Sequence, residues 1–264
     1  MRPLSEFPRE ARRGIRGVFC DIDDTLTTGG RLTADAYATL ERLHRAGLAV
    51  VPITGRPAGW CDHIARMWPV SAVVGENGAF YFRYDHDARA MRRRYVDEPA
   101  LRAANRQRLG AIADEILRLV PGAALAADQL YRETDLAIDY REDVPCLPAE
   151  AVERIAGLMR ARGLHAKVSS IHVNGWFGSY DKLGMTRLLM LEAYGTDLDA
   201  ARGDYVFVGD SPNDAPLFAW FPHAVGVANI RDFTGRLDHE PAYVTDAPAG
   251  AGFREVAELL LASR

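Results

Sequence analysis

A chain of 264 residues with 48% apolar and 26% charged side chains has an ordinary globular balance and enough apolar material for a sizeable core. Its formal net charge of −4 excludes the basic surface of a general nucleic-acid or anionic-membrane binder, and no run approaches the ~20 apolar residues of a membrane span. Cys20, Cys61 and Cys146 are odd in number and far apart, and the N-terminus lacks the apolar stretch of a signal peptide; both features fit a cytoplasmic protein with reduced thiols.

Residues 15–20 (IRGVFC) form a β-rich apolar run that stops at the acidic cluster DIDD. The next element is a helix opening at Thr33 as N-cap, with Ala36, Leu40 and Leu43 on one face and Gly47 closing it. Residues 48–53 (LAVVPI) are continuously apolar, as a strand covered on both faces requires. They end at Thr54-Gly55-Arg56-Pro57, where Pro57 suits the first turn of a helix. A third short strand, 72–74 (AVV), runs into GENGA.

The middle of the chain reads differently. Residues 79–84 and 91–96 alternate around a polar turn and predict a hairpin. Residues 99–120 read as helix, 135–140 as strand, 148–162 as helix and 165–177 (HAKVSSIHVNGWF) as strand. From Lys182 the first pattern returns, with a helix, the strand 205–209 (YVFVG) and the turn GDSPND. Apolar runs at 224–229 and 242–245 and an amphipathic helix at 253–261 follow. The fold class expected is α/β: a Rossmann-like parallel-sheet core of residues 1–83 and 180–264, interrupted by an inserted α+β cap of residues 84–179.

Ligands of an open parallel sheet bind beyond the carboxyl ends of its strands, and four polar clusters sit there. Asp21 ends an apolar strand and is a ready nucleophile, since a carboxylate is ionised at neutral pH. Asp23, two residues on, can protonate a leaving oxygen and later deprotonate a water. Carboxylates beside a phosphate dianion repel it, so the arrangement calls for Mg²⁺, a hard cation with oxygen ligands. Asp210, Asn213 and Asp214 after the GD turn can complete or support that metal site. The Thr54 hydroxyl, the Gly55 N–H and the Lys182 ammonium at a helix start supply fixed donors to a phosphoryl group. Each cluster alone also reads as a turn, a cap or a surface charge; the four in this order are far more specific.

Those residues resemble the haloacid-dehalogenase superfamily over essentially the whole chain. DIDDTLT (21–27) is similar to its first motif, Thr54 in ITGRP to the second, Lys182 to the third and GDSPND (209–214) to the fourth. The insert's position, with ITGRP and GENGA, resembles subclass IIB and its C2B-type caps. The resemblance implies a phospho-aspartate at Asp21, acid/base work at Asp23, and metal ligation by Asp21, the Asp23 backbone carbonyl and Asp210. Asn213 and Asp214 would support metal and phosphate, and Thr54 and Lys182 would hold the phosphoryl group. Asp24 departs from the pattern, since many members have glycine there.

The expected function is a magnesium-dependent phosphatase of a small phosphorylated metabolite, preferably a sugar phosphate, with no nucleic-acid or membrane partner. A phosphomutase of the same fold, or a non-catalytic protein that binds phosphate esters, are the alternatives. The substrate-binding candidates are Gly55, Arg56, Glu76 and Asn77 on the core side and His172 and Asn174 on the cap's last strand. For His172 the reading as a satisfied sheet residue outweighs that of a substrate contact.

Overall fold

Strands too apolar to face water on either side must be covered on both, and this requirement organises the fold seen in the computed structural model, which describes residues 1–169 and 171–264. The chain enters through β1 (Arg2–Pro3), α1 (Arg9–Gly14) and β2 (Gly17–Cys20), then α2 (Ala34–Arg45), β3 (Ala49–Pro52), α3 (Ala58–Met67) and β4 (Val73–Gly75). A hairpin of β5 (Phe80–Asp85) and β6 (Ala90–Tyr95) leads into α4 (Pro99–Leu119), β7 (Ala124–Leu125), β8 (Asp135–Asp139), α5 (Ala149–Ala161), β9 (His165–Val168) and β10 (His172–Trp176). The last part holds α6 (Lys182–Tyr194), α7 (Leu198–Ala201), β11 (Tyr205–Gly209), α8 (Ala215–Trp220), β12 (Ala224–Gly226), β13 (Tyr243–Val244) and α9 (Ala249–Leu261). No helix among the described residues is long and apolar enough to cross a membrane.

The core is a six-stranded sheet in the order β1-β13-β12-β11-β2-β3, with every pair parallel. A parallel bridge between Ile53 and Val74 sets β4 beside β3. Alternation along the strands sorts the side chains. Val18, Cys20, Val50, Val206 and Val208 pack with Leu40, Leu43, Ile64, Phe253 and Val256 on one face. Phe19, Val51 and Phe207 pack with Met185, Leu189, Leu217 and Phe218 on the other. Each such fully buried side chain contributes about 1.5–3 kcal/mol relative to exposure. Thr33 caps α2 as its sequence position predicts, its hydroxyl accepting from Ala36 N at 3.2 Å.

A second sheet, β7-β8-β10-β9, is antiparallel throughout. Leu136, Ile138 and Val173 lie on the face that packs against Leu109, Ile112 and Ile116 of α4 and Ile155 and Met159 of α5. The alternate residues of the same strands, among them Asp135, Asp139, His172 and Asn174, occupy the opposite face and are also buried. That polar face is turned toward the ends of β2 and β3.

Two expectations need correction. The hairpin does not join the insert's sheet; β5 pairs with β4 in a separate antiparallel sheet, β4-β5-β6. Phe80 and Phe82 then pack into the core cluster, with Tyr95 against them, so a boundary at residue 84 falls inside β5. The run 165–177 is two antiparallel strands, β9 and β10, rather than one; Ser170, within that run, lies outside the described residues.

Candidate active site

The strand ends bring three of the four polar clusters onto one spot. Asp21 N donates to Val208 O at 2.9 Å, extending the β2–β11 ladder by one residue and fixing the carboxylate's origin. Lys182 is the first residue of α6, whose N-cap Asp181 accepts from Gly184 N. Its ammonium lies 2.8 Å from Asp21 Oδ1 and 2.9 Å from Asp214 Oδ1, with all three side chains buried. Asp214 Oδ2 accepts from Asp210 N at 3.2 Å. The Thr25 hydroxyl donates to Asp210 Oδ1 at 3.2 Å. Carboxylate oxygens of Asp21, Asp210 and Asp214 lie within 4.8 Å of one another.

The electrostatics follow from three carboxylates sharing one ammonium in a buried place. Burial pushes Asp21 up to about 7, with Asp214 and Asp23 adding to the rise and Lys182 opposing it. Burial, then Asp21 and Asp214, also hold Asp210 well above the usual carboxylate range. Burial would lower the Lys182 ammonium, but the two carboxylates it touches more than reverse that. A set of hard oxygen donors with surplus negative charge suits a divalent cation such as Mg²⁺.

The second cluster stands just outside this spot. Thr54 is fully buried; its hydroxyl accepts from Arg56 N at 3.0 Å and its carbonyl from Asn77 N, so it shapes the turn that aims Gly55 and Arg56. Arg56 grips the Asp23 carboxylate through Nε at 3.0–3.1 Å and Nη2 at 2.8 Å. It also reaches Glu142 at 2.8 Å and Asp128 at 3.5 Å on the insert, and lies over the Trp60 ring. Glu142 Oε2 is 2.9 Å from His172 Nε2, off the direction a ring N–H needs for a well-formed bond. His172 and Arg56 together hold the Glu142 carboxyl down at about 2.

A small cavity lies between core and insert, lined by Asp21, Asp23, Arg56, Asn77, His172 and Asn174, with Gly55 and Asn213 also on its wall. The space open to water centres is about 20 Å³, roughly one or two waters. Asn213 Oδ1 accepts from Ser211 Oγ at 2.8 Å, and Asn174 donates to Asp135 at 3.0 Å.

Glu76 is not on that wall. Its carboxylate is fully buried and accepts from Ala58 N and Glu133 N at 2.9 Å, from Thr134 N at 2.6 Å, and from the Thr134 hydroxyl. It therefore ties the start of α3 to the loop before β8, and burial raises it to about 7. Beside it, Arg132 joins Asp128 and Asp135 and donates to Gly55 O at 2.9 Å. Arg132, Asp128, Asp135 and Glu142 were not among the sequence candidates, although the charge spacing D-x₃-R-x₂-D over 128–135 is a readable signal for the first three. Nor was Asn229, whose Nδ2 donates to Asp24 O at 3.1 Å and lies 3.5 Å from Asp210 Oδ2. Nothing in its neighbourhood along the chain marks it.

Positive φ accounts for two local choices. Asp24 has φ 57°, a region glycine enters freely and Asp tolerates, so an Asp fits the backbone at this position. Glu76, Asn77 and Gly78 have φ 42°, 57° and 105°, and a Cβ on Gly78 would overlap Asp181 O at the start of α6. The GENGA turn thus presses directly on the element that carries Lys182.

Residues 18–105 match the family model of haloacid dehalogenase-like hydrolases. No curated protein matches the chain in sequence. Among solved structures, Thermoplasma acidophilum protein 0175 superposes with a TM-score of 0.70 at 18% identity, over 94% of this chain and 98% of that one. A HAD/COF-like hydrolase from Plasmodium vivax gives 0.69 at 15%, over 97% and 99%. The sucrose-phosphatase of Synechocystis, solved with sucrose and phosphate, gives 0.62 at 15%, over 93% and 98%.

Proposed function

Starting from a chain that is haloacid dehalogenase-like in fold and in its matched residues, we propose that it is a metal-dependent phosphatase of a small phosphorylated metabolite, a sugar phosphate above all, working through a phospho-aspartate at Asp21. The observation that carries this reading is the Lys182 ammonium held between Asp21 and Asp214, with Asp210 alongside, at the carboxyl ends of β2 and β11. The hydrogen-bonding wall of Asn77, His172 and Asn174 suits a hydroxyl-rich leaving group, and the Synechocystis neighbour is a phosphatase of such a sugar.

In this mechanism an Asp21 oxygen attacks phosphorus, and the bond to the ester oxygen breaks. Asp23 protonates the departing alkoxide, leaving phosphate bonded to Asp21. Asp23, now a carboxylate, takes a proton from a water whose oxygen attacks phosphorus, releasing phosphate and free Asp21. Lys182 keeps Asp21 aligned and neutralises charge on the transferring group. Arg56 positions Asp23. Asp21, Asp210 and the Asp23 backbone are the candidate ligands of a cation, with Asp214 beside them. Its chemistry, once bound, is to offset the charge that would otherwise keep a phosphate dianion away from these carboxylates.

The test is phosphate release from a panel of phosphorylated metabolites, with Mg²⁺ and with EDTA. Release that requires the metal and vanishes in Asp21→Asn is the expected result. An isomeric sugar phosphate formed without release would establish the mutase instead, and binding without either product would remove catalysis altogether.

A further inference from the structure

We propose that the ester taken by this site carries a second anionic group on its alcohol part, and that this group replaces the Glu142 carboxylate between Arg56 and His172. The inference rests on the phosphatase reading and narrows its substrate class to phosphorylated sugar acids, bisphosphates and their like.

Among the described residues, the cavity between core and insert leaves only about 20 Å³ open to water centres, less than a phosphate ester fills. Something must leave when substrate enters. Arg56 and His172 have side chains only 5% and 3% exposed. Arg56 is pinned by Asp23 and Asp128, and His172 sits within the β8–β10 pairing opposite Asp139. Glu142 is different, with a side chain 29% exposed. Its backbone N is tied to Asp139 Oδ1 at 2.7 Å, so the root stays while the carboxylate can turn out to water.

Turning Glu142 out without a replacement leaves Arg56 Nη2, a buried charged donor, short of an acceptor, which is costly. The place it vacates is already shown to accept a carboxylate, because Glu142 is one. Asn77 Nδ2 is a further donor; it is buried, has no partner among the described residues, and its residue lines the same cavity. A neutral alcohol supplies oxygen acceptors but no charge, so it satisfies this seat only in part.

Matched esters test the idea: 6-phosphogluconate, glucose 1,6-bisphosphate and glucitol 6-phosphate, with p-nitrophenyl phosphate as a generic substrate. Turnover is read with Mg²⁺, and binding to Asp21→Asn by calorimetry. The expected result is kcat/KM and affinity higher by about tenfold or more for an anionic ester than for glucitol 6-phosphate, the difference between a charged and a neutral hydrogen-bond partner. A preference for the gluconate ester alone assigns a carboxylate, and one for the bisphosphate alone a second phosphate. Glu142→Gln, which weakens the internal competitor, lowers KM for the preferred ester severalfold. Equal or better use of glucitol 6-phosphate, or a raised KM in Glu142→Gln, overturns the proposal while leaving the phosphatase reading in place. Preferential binding of an anionic ester without turnover of any compound does the reverse. Neither binding nor turnover removes both.

Discussion

Lys182→Met replaces the ammonium between Asp21 and Asp214 with an apolar group of similar length, stranding two buried carboxylates. Removing one partner of a buried ion pair costs about 3–5 kcal/mol. For a chain of this size each kcal/mol lowers Tm by roughly 2–4 °C, so the metal-free variant should melt roughly 6–20 °C below the parent at pH 8. The deficit depends on pH with a definite sign. Asp21, already raised by burial to about 7 in the parent, rises further without the lysine that opposes the shift. A raised carboxyl contributes stability that is complete below its unfolded value and lost as pH rises through its folded one. The two proteins should therefore converge in Tm as pH falls from 8 to 5. Mg²⁺ should recover part of the loss at pH 8, whereas phosphate release should fall by ~10² or more through loss of a fixed donor. Thermal unfolding by circular dichroism at pH 5 and 8, with EDTA or Mg²⁺, provides the measurement. A drop below about 2 °C in EDTA at pH 8, or one that does not change with pH, would refute the role of Lys182 as the shared counter-charge.

Asp21→Asn should reduce phosphate release by about 10³-fold or more while leaving the circular dichroism spectrum unchanged. The metal-free parent should itself gain stability between pH 8 and 5, because Asp21 and Glu76 are both raised to about 7; a Tm that falls over that window contradicts the direction assigned to these two groups. Asn229→Ala frees the Asp210 and Asp24 neighbourhood and should weaken Mg²⁺ activation by about 10–100-fold, read as a shift in the Mg²⁺ titration of phosphate release. Gly78→Ala sets a Cβ against Asp181 O at φ 105°, so it should displace the start of α6 and lower both Tm and turnover; unchanged turnover would show that the GENGA turn does not position Lys182.

The parts of this architecture written in the sequence are those set by local pattern. Continuous apolar runs foretold β2, β3 and β11, and the polar residues after them foretold where Asp21 and Asp210 would meet, because parallel strands share one functional end. Thr33 announced α2 in the same local way. Pairing across long separations was hidden. Alternation in 79–96 revealed a hairpin but not that β4 would take it. Glu76 read as a polar residue at a cavity mouth; that its oxygens are consumed by N–H groups of residues 133–135 depends on where the insert returns. Glu142 and Asn229 likewise meet partners that no spacing along the chain discloses.

Asp21 and Lys182 are 161 residues apart, and β2 pairs on one side with β11, which is made later still. At ribosomal rates of about 5–20 residues per second, roughly 10–30 s pass between the emergence of the carboxylate and that of its ammonium. Through that interval β2 and β3 have no β11 to close their open edge, and the acidic turn has no counter-charge to draw it inward. Birth of this protein thus includes a waiting period in which the first third of the chain presents a strand edge whose partner has not yet been made.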